Sequence, residues 1–176
     1  ALRQIPTWVL YLILPIPGLL AIAAGLTDNL GPEPINELEE ELGEFALKLF
    51  ILGFAVSPLL HLTRINLVRF RRAIGVMAFA YVTAHFLVWF LLDLQGLNQI
   101  WTEIAKRPYV TVGFAGFVAM IPLALTSNDR SVRRLGRFWR ILHRLTYLVA
   151  ILAGLHFIML SKGFDVEALA HMVVIL

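Results

Sequence analysis

The sequence predicts an all-α, polytopic membrane helix bundle of six transmembrane helices, the sixth of them short or truncated. Three observations predict it. Of 176 residues, 59% are hydrophobic and only 15% charged, and the mean hydropathy is +0.79, well beyond the usual balance of a soluble domain. Several apolar runs approach the roughly 20 residues that cross a bilayer core. Arginines and acids gather in the connections between those runs rather than within them.

Spans are expected at Trp8–Leu26, Phe45–Leu62, Ala73–Leu92, Tyr109–Thr126, Ile141–Leu160 and Phe164–Leu176. The first contains LPIPG (Leu14–Gly18), whose two prolines remove backbone donors and should kink it. The last is 13 residues, about 20 Å of helix against a core of about 30 Å, so it either continues further or ends inside the membrane. One domain over residues 1–176 is expected, without repeats or low-complexity tracts.

The connections sort by charge. Arg64, Arg69, Arg71 and Arg72 lie between spans 2 and 3, and Arg130, Arg133, Arg134, Arg137, Arg140 and Arg144 between spans 4 and 5 and into the start of 5. The connection between spans 1 and 2 is acidic: Asp28, Glu33, Glu37, Glu39, Glu40, Glu41 and Glu44. The positive-inside rule puts the arginine loops and the N-terminus in the cytoplasm. The acidic stretch is then a solvated outer face or a docking surface for a basic partner. No nucleic-acid motif, phosphate-binding loop or nucleophile elbow occurs. The chain has no cysteine, which excludes disulfides, thiolate metal sites and thiol redox chemistry. Any redox function must use a bound cofactor.

Ionisable residues inside a span are costly and point to function. There are five histidines: His61, His85, His143, His156 and His171. Any one alone is also satisfied by a hydrogen bond across helices; their depths say more. His85 follows Arg72 by 13 residues and His156 follows Arg144 by 12, placing both about 18–20 Å above the cytoplasmic edge on different spans. With no carboxylate expected at that depth, two neutral imidazoles suggest axial ligands to the iron of haem b. His143 stands beside Arg140 and Arg144, about 20 Å along an ideal helix from His156 and turned about 140° from it. His61 closes span 2 beside Arg64 and is a candidate partner for His143 in a second haem or another cytoplasmic-side site. His171 has no partner at its level and is expected to be structural. Small residues in span 3 (Gly75, Ala80, Ala84) and span 5 (Ala150, Ala153, Gly154) allow close packing or room for a flat cofactor.

The segments RRAIGVMAFAYVTAHF (Arg71–Phe86), RPYVTVGFAGFVAMIPLALTS (Arg107–Ser127) and RRLGRFWRILHRLTYLVAILAGLHF (Arg133–Phe157) resemble the ferric-reductase-like transmembrane domain. More closely, they resemble the haem-binding membrane subunits of periplasmic methionine-sulfoxide reductase systems. The resemblance runs from about Ala46 to Phe157. It implies a six-span haem b protein of the bacterial inner membrane, associated with FMN. Such a protein takes electrons from the quinone pool or a cytoplasmic flavin reductase. It passes them to a periplasmic molybdopterin subunit that reduces methionine sulfoxide in oxidised proteins, so the chemical reaction is expected on that partner. By resemblance, His85, His143 and His156 fall on haem-related histidines. Ferric reductases and related oxidases carry a second histidine lower on the helix of span 3. Here positions 71 and 72 are both arginine, a departure from the two-haem, four-histidine arrangement. Arg71, Arg72, Arg137, Arg140 and Arg144 are candidate contacts for the FMN phosphate, since guanidinium matches phosphate bidentately; positive-inside bias alone also accounts for them. Two other functions are weighed against this one: a stand-alone haem-containing ferric or metal reductase, and a non-redox membrane transporter or anchor that holds no haem.

Overall fold

A computed structural model describes residues 5–27, 29–93, 102 and 104–160. The expected sixth span, Phe164–Leu176, and His171 within it lie outside the described residues. Among the described residues every regular element is helical, and five helical stretches are long and apolar enough to cross a membrane: Trp8–Leu26, Pro34–Thr63, Val68–Asp93, Pro108–Leu125 and Arg137–Leu160. The chain is a multi-pass, all-α membrane protein. It divides into two compact units, Ala1–Gln95 and Gly96–Leu176.

The first unit starts with the expected kink. Helix α1 (Trp8–Ile13) stops before the LPIPG motif and α2 (Ile16–Leu26) resumes within it. In an unbroken helix the Gly18 N–H would bond the Leu14 carbonyl. Here the Tyr81 hydroxyl occupies that rung: it accepts from Gly18 N–H at 2.9 Å and donates to the Leu14 carbonyl at 2.7 Å. Both backbone groups freed by the kink are thereby satisfied in an apolar interior, where leaving them bare is costly.

Helix α3 (Pro34–Thr63) has 30 residues and begins well before the expected Phe45. Glu37, Glu39, Glu40, Glu41 and Glu44, expected in a connection, instead form its first turns. Proline at the start suits a helix N-terminus, and an acid in the first turn complements the helix dipole. The decisive signal is Leu38, Leu42, Ala46, Leu49 and Val56, buried at helical spacing among the acids. Charge dominates the composition of the stretch, while the leucines carry its periodicity. The helix ends at Arg64, which adopts a left-handed φ of 59°, and Thr63 Oγ1 donates to the Leu59 carbonyl. A short turn, Val68–Phe70, then anchors buried Phe70 and leads into α4 (Arg71–Val88). Helix α4 packs along α3 through Ile74, Met77, Ala78 and Tyr81. Just past His85 it widens into a π turn, Trp89–Asp93, and the Trp89 N–H bonds the carbonyls of His85 and Phe86.

The second unit is built on α5 (Pro108–Leu125) and α8 (Leu145–Leu160), packed through Gly116, Met120, Val149, Ala150 and Gly154. Ala150 and Gly154 thus serve packing, whereas Gly75 on α4 faces open space. After α5, Asn128 caps α6 (Asp129–Leu135) by accepting the Ser131 N–H at 2.8 Å. Gly136 turns the chain at φ 51°, ψ −118°, which an L side chain rarely adopts. Helix α7 (Arg137–Leu142) follows. The expected continuous span from Ile141 to Leu160 is interrupted at His143–Arg144. There, Arg144 and Thr146 N–H groups bond carbonyls three residues back, at Ile141 and His143. The Thr146 hydroxyl also takes up the His143 carbonyl at 2.7 Å. A tightened turn therefore separates α7 from α8.

Candidate functional site

In the first unit, α4 carries His85 half-buried against α3. Its Nδ1 lies 2.8 Å from the main-chain carbonyl of Glu39. In the second unit, α8 carries His156 half-buried against α5, with Nδ1 2.7 Å from the carbonyl of Tyr109. A carbonyl oxygen only accepts, so each Nδ1 carries its hydrogen. In the neutral ring, Nε2 is then the nitrogen with the lone pair, the one a metal would take. Fixing the second ring nitrogen on a carbonyl is how metal-binding histidines are commonly oriented. Both residues of the expected axial pair thus have the tautomer that iron ligation needs. The Tyr109 ring borders His156, with centroids 6.2 Å apart.

Glu39 changes one expectation. Sequence depth placed no carboxylate at the level of His85, because the acids were assigned to a connection. With α3 starting at Pro34, Glu39 stands against His85, and its Oε1 is buried without a hydrogen-bond partner among the described residues.

His143 occupies the turn between α7 and α8. Its ring folds back over its own helix, stacking on Trp139 at a centroid distance of 3.8 Å and an interplanar angle of 25°. Its Nδ1 donates to the Trp139 carbonyl at 3.1 Å, and the Trp139 indole donates to the Thr126 carbonyl at 2.9 Å. The His143 Nε2 is buried without a hydrogen-bond partner among the described residues. An orphaned imidazole nitrogen in an apolar setting suits a metal or cofactor ligand. His143 and His156 stand at opposite ends of α8, as their spacing requires. Arg137, Arg140 and Arg144 are exposed beside His143. In the first unit Arg71 and Arg72 are exposed at the start of α4, with Arg71 Nη1 3.3 Å from Ser57 Oγ. His61 lies exposed in the last turn of α3. Among the described residues no three His, Cys, Asp or Glu side chains gather to hold a bare metal ion.

Residues 42–154 match the family model described as ferric reductase like transmembrane component. The chain is 46% identical over 162 residues to the protein-methionine-sulfoxide reductase heme-binding subunit MsrQ of Agrobacterium fabrum, covering 91% of this chain and 75% of that protein. It is 40% identical over 166 residues to the MsrQ of Brucella anthropi, covering 93% and 75%. It belongs to the MsrQ branch of the ferric-reductase-like transmembrane family. The MsrQ match covers every histidine described above. Sequence reasoning found those histidines but not what holds them. The seats of His85 and His156 are main-chain atoms, which leave no residue-type signature. The Trp139–His143 stack was readable in principle, since a spacing of four on one helix brings side chains together.

Proposed function

We propose that this chain is the haem-binding membrane subunit of a methionine-sulfoxide reductase system, forming one haem domain over residues 1–176 of the bacterial inner membrane. It would conduct electrons from the quinone pool, or from a cytoplasmic flavin or flavin reductase, to a periplasmic molybdopterin subunit that repairs oxidised proteins. The observation that carries this reading is that His85 and His156 each commit Nδ1–H to a helix carbonyl. The names of the MsrQ relatives point the same way.

In this reading His85 and His156 would hold the haem iron through Nε2, and their carbonyl bonds would keep the rings from turning away. Haem b, when bound there, supplies a one-electron centre whose potential follows its axial ligands and apolar surroundings. His143 offers its orphaned Nε2 at the cytoplasmic level, either to a second haem with His61 or to a flavin-side site. Arg71, Arg72, Arg137, Arg140 and Arg144 would pair with the phosphate of FMN. The arginine-bearing ends and the N-terminus lie in the cytoplasm.

The test is optical and magnetic. The purified protein should be red, with Soret and α bands that shift on dithionite reduction. His85→Ala and His156→Ala should each abolish the low-spin signal, whereas His143→Ala should leave the deep site intact. A colourless protein, or full low-spin haem in either deep-site variant, defeats the assignment. Reoxidation by the periplasmic molybdopterin subunit and not by ferric chelates separates this function from metal reduction.

A further inference from the structure

The two histidine seats share a feature beyond the hydrogen bond. His85 docks on the carbonyl of Glu39, and Gly43 follows four residues later on α3. His156 docks on the carbonyl of Tyr109, and Gly113 follows four residues later on α5. Helix geometry explains why that register matters. The carbonyl of residue i accepts the N–H of residue i+4 along the helix. It keeps a second lone pair for a side chain from outside. The side chain of residue i+4 stands beside that lone pair, in the path of an approaching ring.

The clearances are small. A Cβ at Gly113 would lie 2.7 Å from His156 Nδ1, 2.9 Å from Cε1 and 3.2 Å from Cγ. A Cβ at Gly43 would lie 3.3 Å from His85 Nδ1 and 3.5 Å from Cε1. Ordinary van der Waals contact begins near 3.4 Å. The His156 ring would therefore have to retreat by about 0.7 Å and the His85 ring by about 0.1 Å. Other glycines on the same elements behave differently. A Cβ at Gly116, one turn beyond Gly113, meets only Leu152 Cβ at 3.5 Å, and one at Gly75 on α4 meets nothing within 4 Å.

We propose that Gly43 and Gly113 are positioning residues for the axial ligands: by lacking a side chain, they admit the His85 and His156 rings to the helix carbonyls that fix and strengthen them. The inference rests on the haem reading above. A histidine that donates from Nδ1 is a better electron donor at Nε2. Stronger donation stabilises ferric over ferrous iron, so the seat lowers the midpoint potential. Crowding the ring away from its carbonyl weakens ligation and raises that potential. The unequal clearances order the outcome, with the larger effect at position 113.

The experiment compares Gly43→Ala, Gly113→Ala, Gly116→Ala and Gly75→Ala in the full chain, purified in detergent. Haem affinity, low-spin electron paramagnetic resonance and midpoint potential are measured for each. Gly113→Ala should lower haem affinity by about 10–100-fold, the usual cost of losing such a supporting bond, and raise the potential of the haem it retains. Gly43→Ala should shift the potential in the same direction by less. Gly116→Ala and Gly75→Ala should match the parent protein. Parent-like resonance and potential in Gly113→Ala overturn the proposal, as does an equal shift in Gly116→Ala, which would mark helix packing as the cause. Should Gly113→Ala fail to fold, Gly43→Val decides, since its branched methyls reach further towards His85; an unchanged potential there overturns the proposal. Failure of the haem reading shows separately, as full low-spin haem in His85→Ala or His156→Ala.

Discussion

Tyr81 does at one point what a whole helical rung does elsewhere. Its hydroxyl serves the Gly18 N–H and the Leu14 carbonyl together, and the residue is buried with its ring 5.7 Å from that of Phe45. Gly18 makes room for it, since a Cβ there would stand 2.6 Å from Tyr81 Cε1. Tyr81→Phe keeps the ring and strands both backbone groups. It should destabilise the protein by about 1–3 kcal/mol, read as a lower midpoint in thermal unfolding followed by circular dichroism. Tyr81 also sits one turn from His85 on α4, so the same variant tests how far the kinked first span supports the deep histidine. If haem binding weakens along with stability, the support is mechanical. If only stability falls, the two are separate. The residue-scale reading from sequence was uneven for a physical reason. The LPIPG kink was legible because proline announces the donors it lacks. The group that repairs the kink was not, because it lies 63 residues away and nothing local points to it.

At the scale of elements, Gly136 joins two short helices that carry most of the arginines of the second unit. Its φ of 51° with ψ of −118° belongs to glycine. Gly136→Ala should cost about 1–3 kcal/mol of strain or be relieved by re-aiming α7. Thermal unfolding measures the first outcome, and weaker binding of added FMN, the ligand proposed for the arginine cluster, the second. Helix α3 shows where composition misleads. Its acids suggested a loop, yet Leu38 and Leu42 continue the apolar stripe of the span backwards through them. The Glu44–Lys48 pair at 2.7 Å, half-exposed and one turn apart, is a surface bond worth little. Lys48→Ala should therefore leave the unfolding midpoint almost unmoved. The stripe, not the charge, makes this stretch helical. Interruption of the last described span at His143 was likewise hidden from a hydropathy reading, since the segment stays apolar across the break. What breaks it is local hydrogen bonding by the Trp139 carbonyl and the Thr146 hydroxyl.

For the whole molecule, the helical class and five of the six expected spans followed from hydropathy, because a bilayer leaves backbone groups no partner but their own helix. Charge asymmetry gives an orientation that fusions can check. Alkaline phosphatase placed after Glu33 should be active, and green fluorescent protein placed after Asn128 should fluoresce. The reverse pattern would invert the proposed direction of electron flow. The number of haems per chain is the companion measurement. Two would bring His143 and its orphaned Nε2 into a second site, whereas one would leave that nitrogen to a flavin or a smaller partner. That His85 and His156 fall on the helices of spans 3 and 5 was legible in the sequence. Their tautomers were not, because the acceptors belong to the main chain.

Because those acceptors are carbonyls, every amino acid supplies them equally well. Positions 39 and 109 are therefore free, as far as the seats are concerned, to drift over generations without loosening either histidine. On the proposed role of the two glycines, position 113 has no such latitude and position 43 has less than its neighbours. The inherited trace of each seat is then a gap in side-chain size, read four residues downstream of the atom that does the holding.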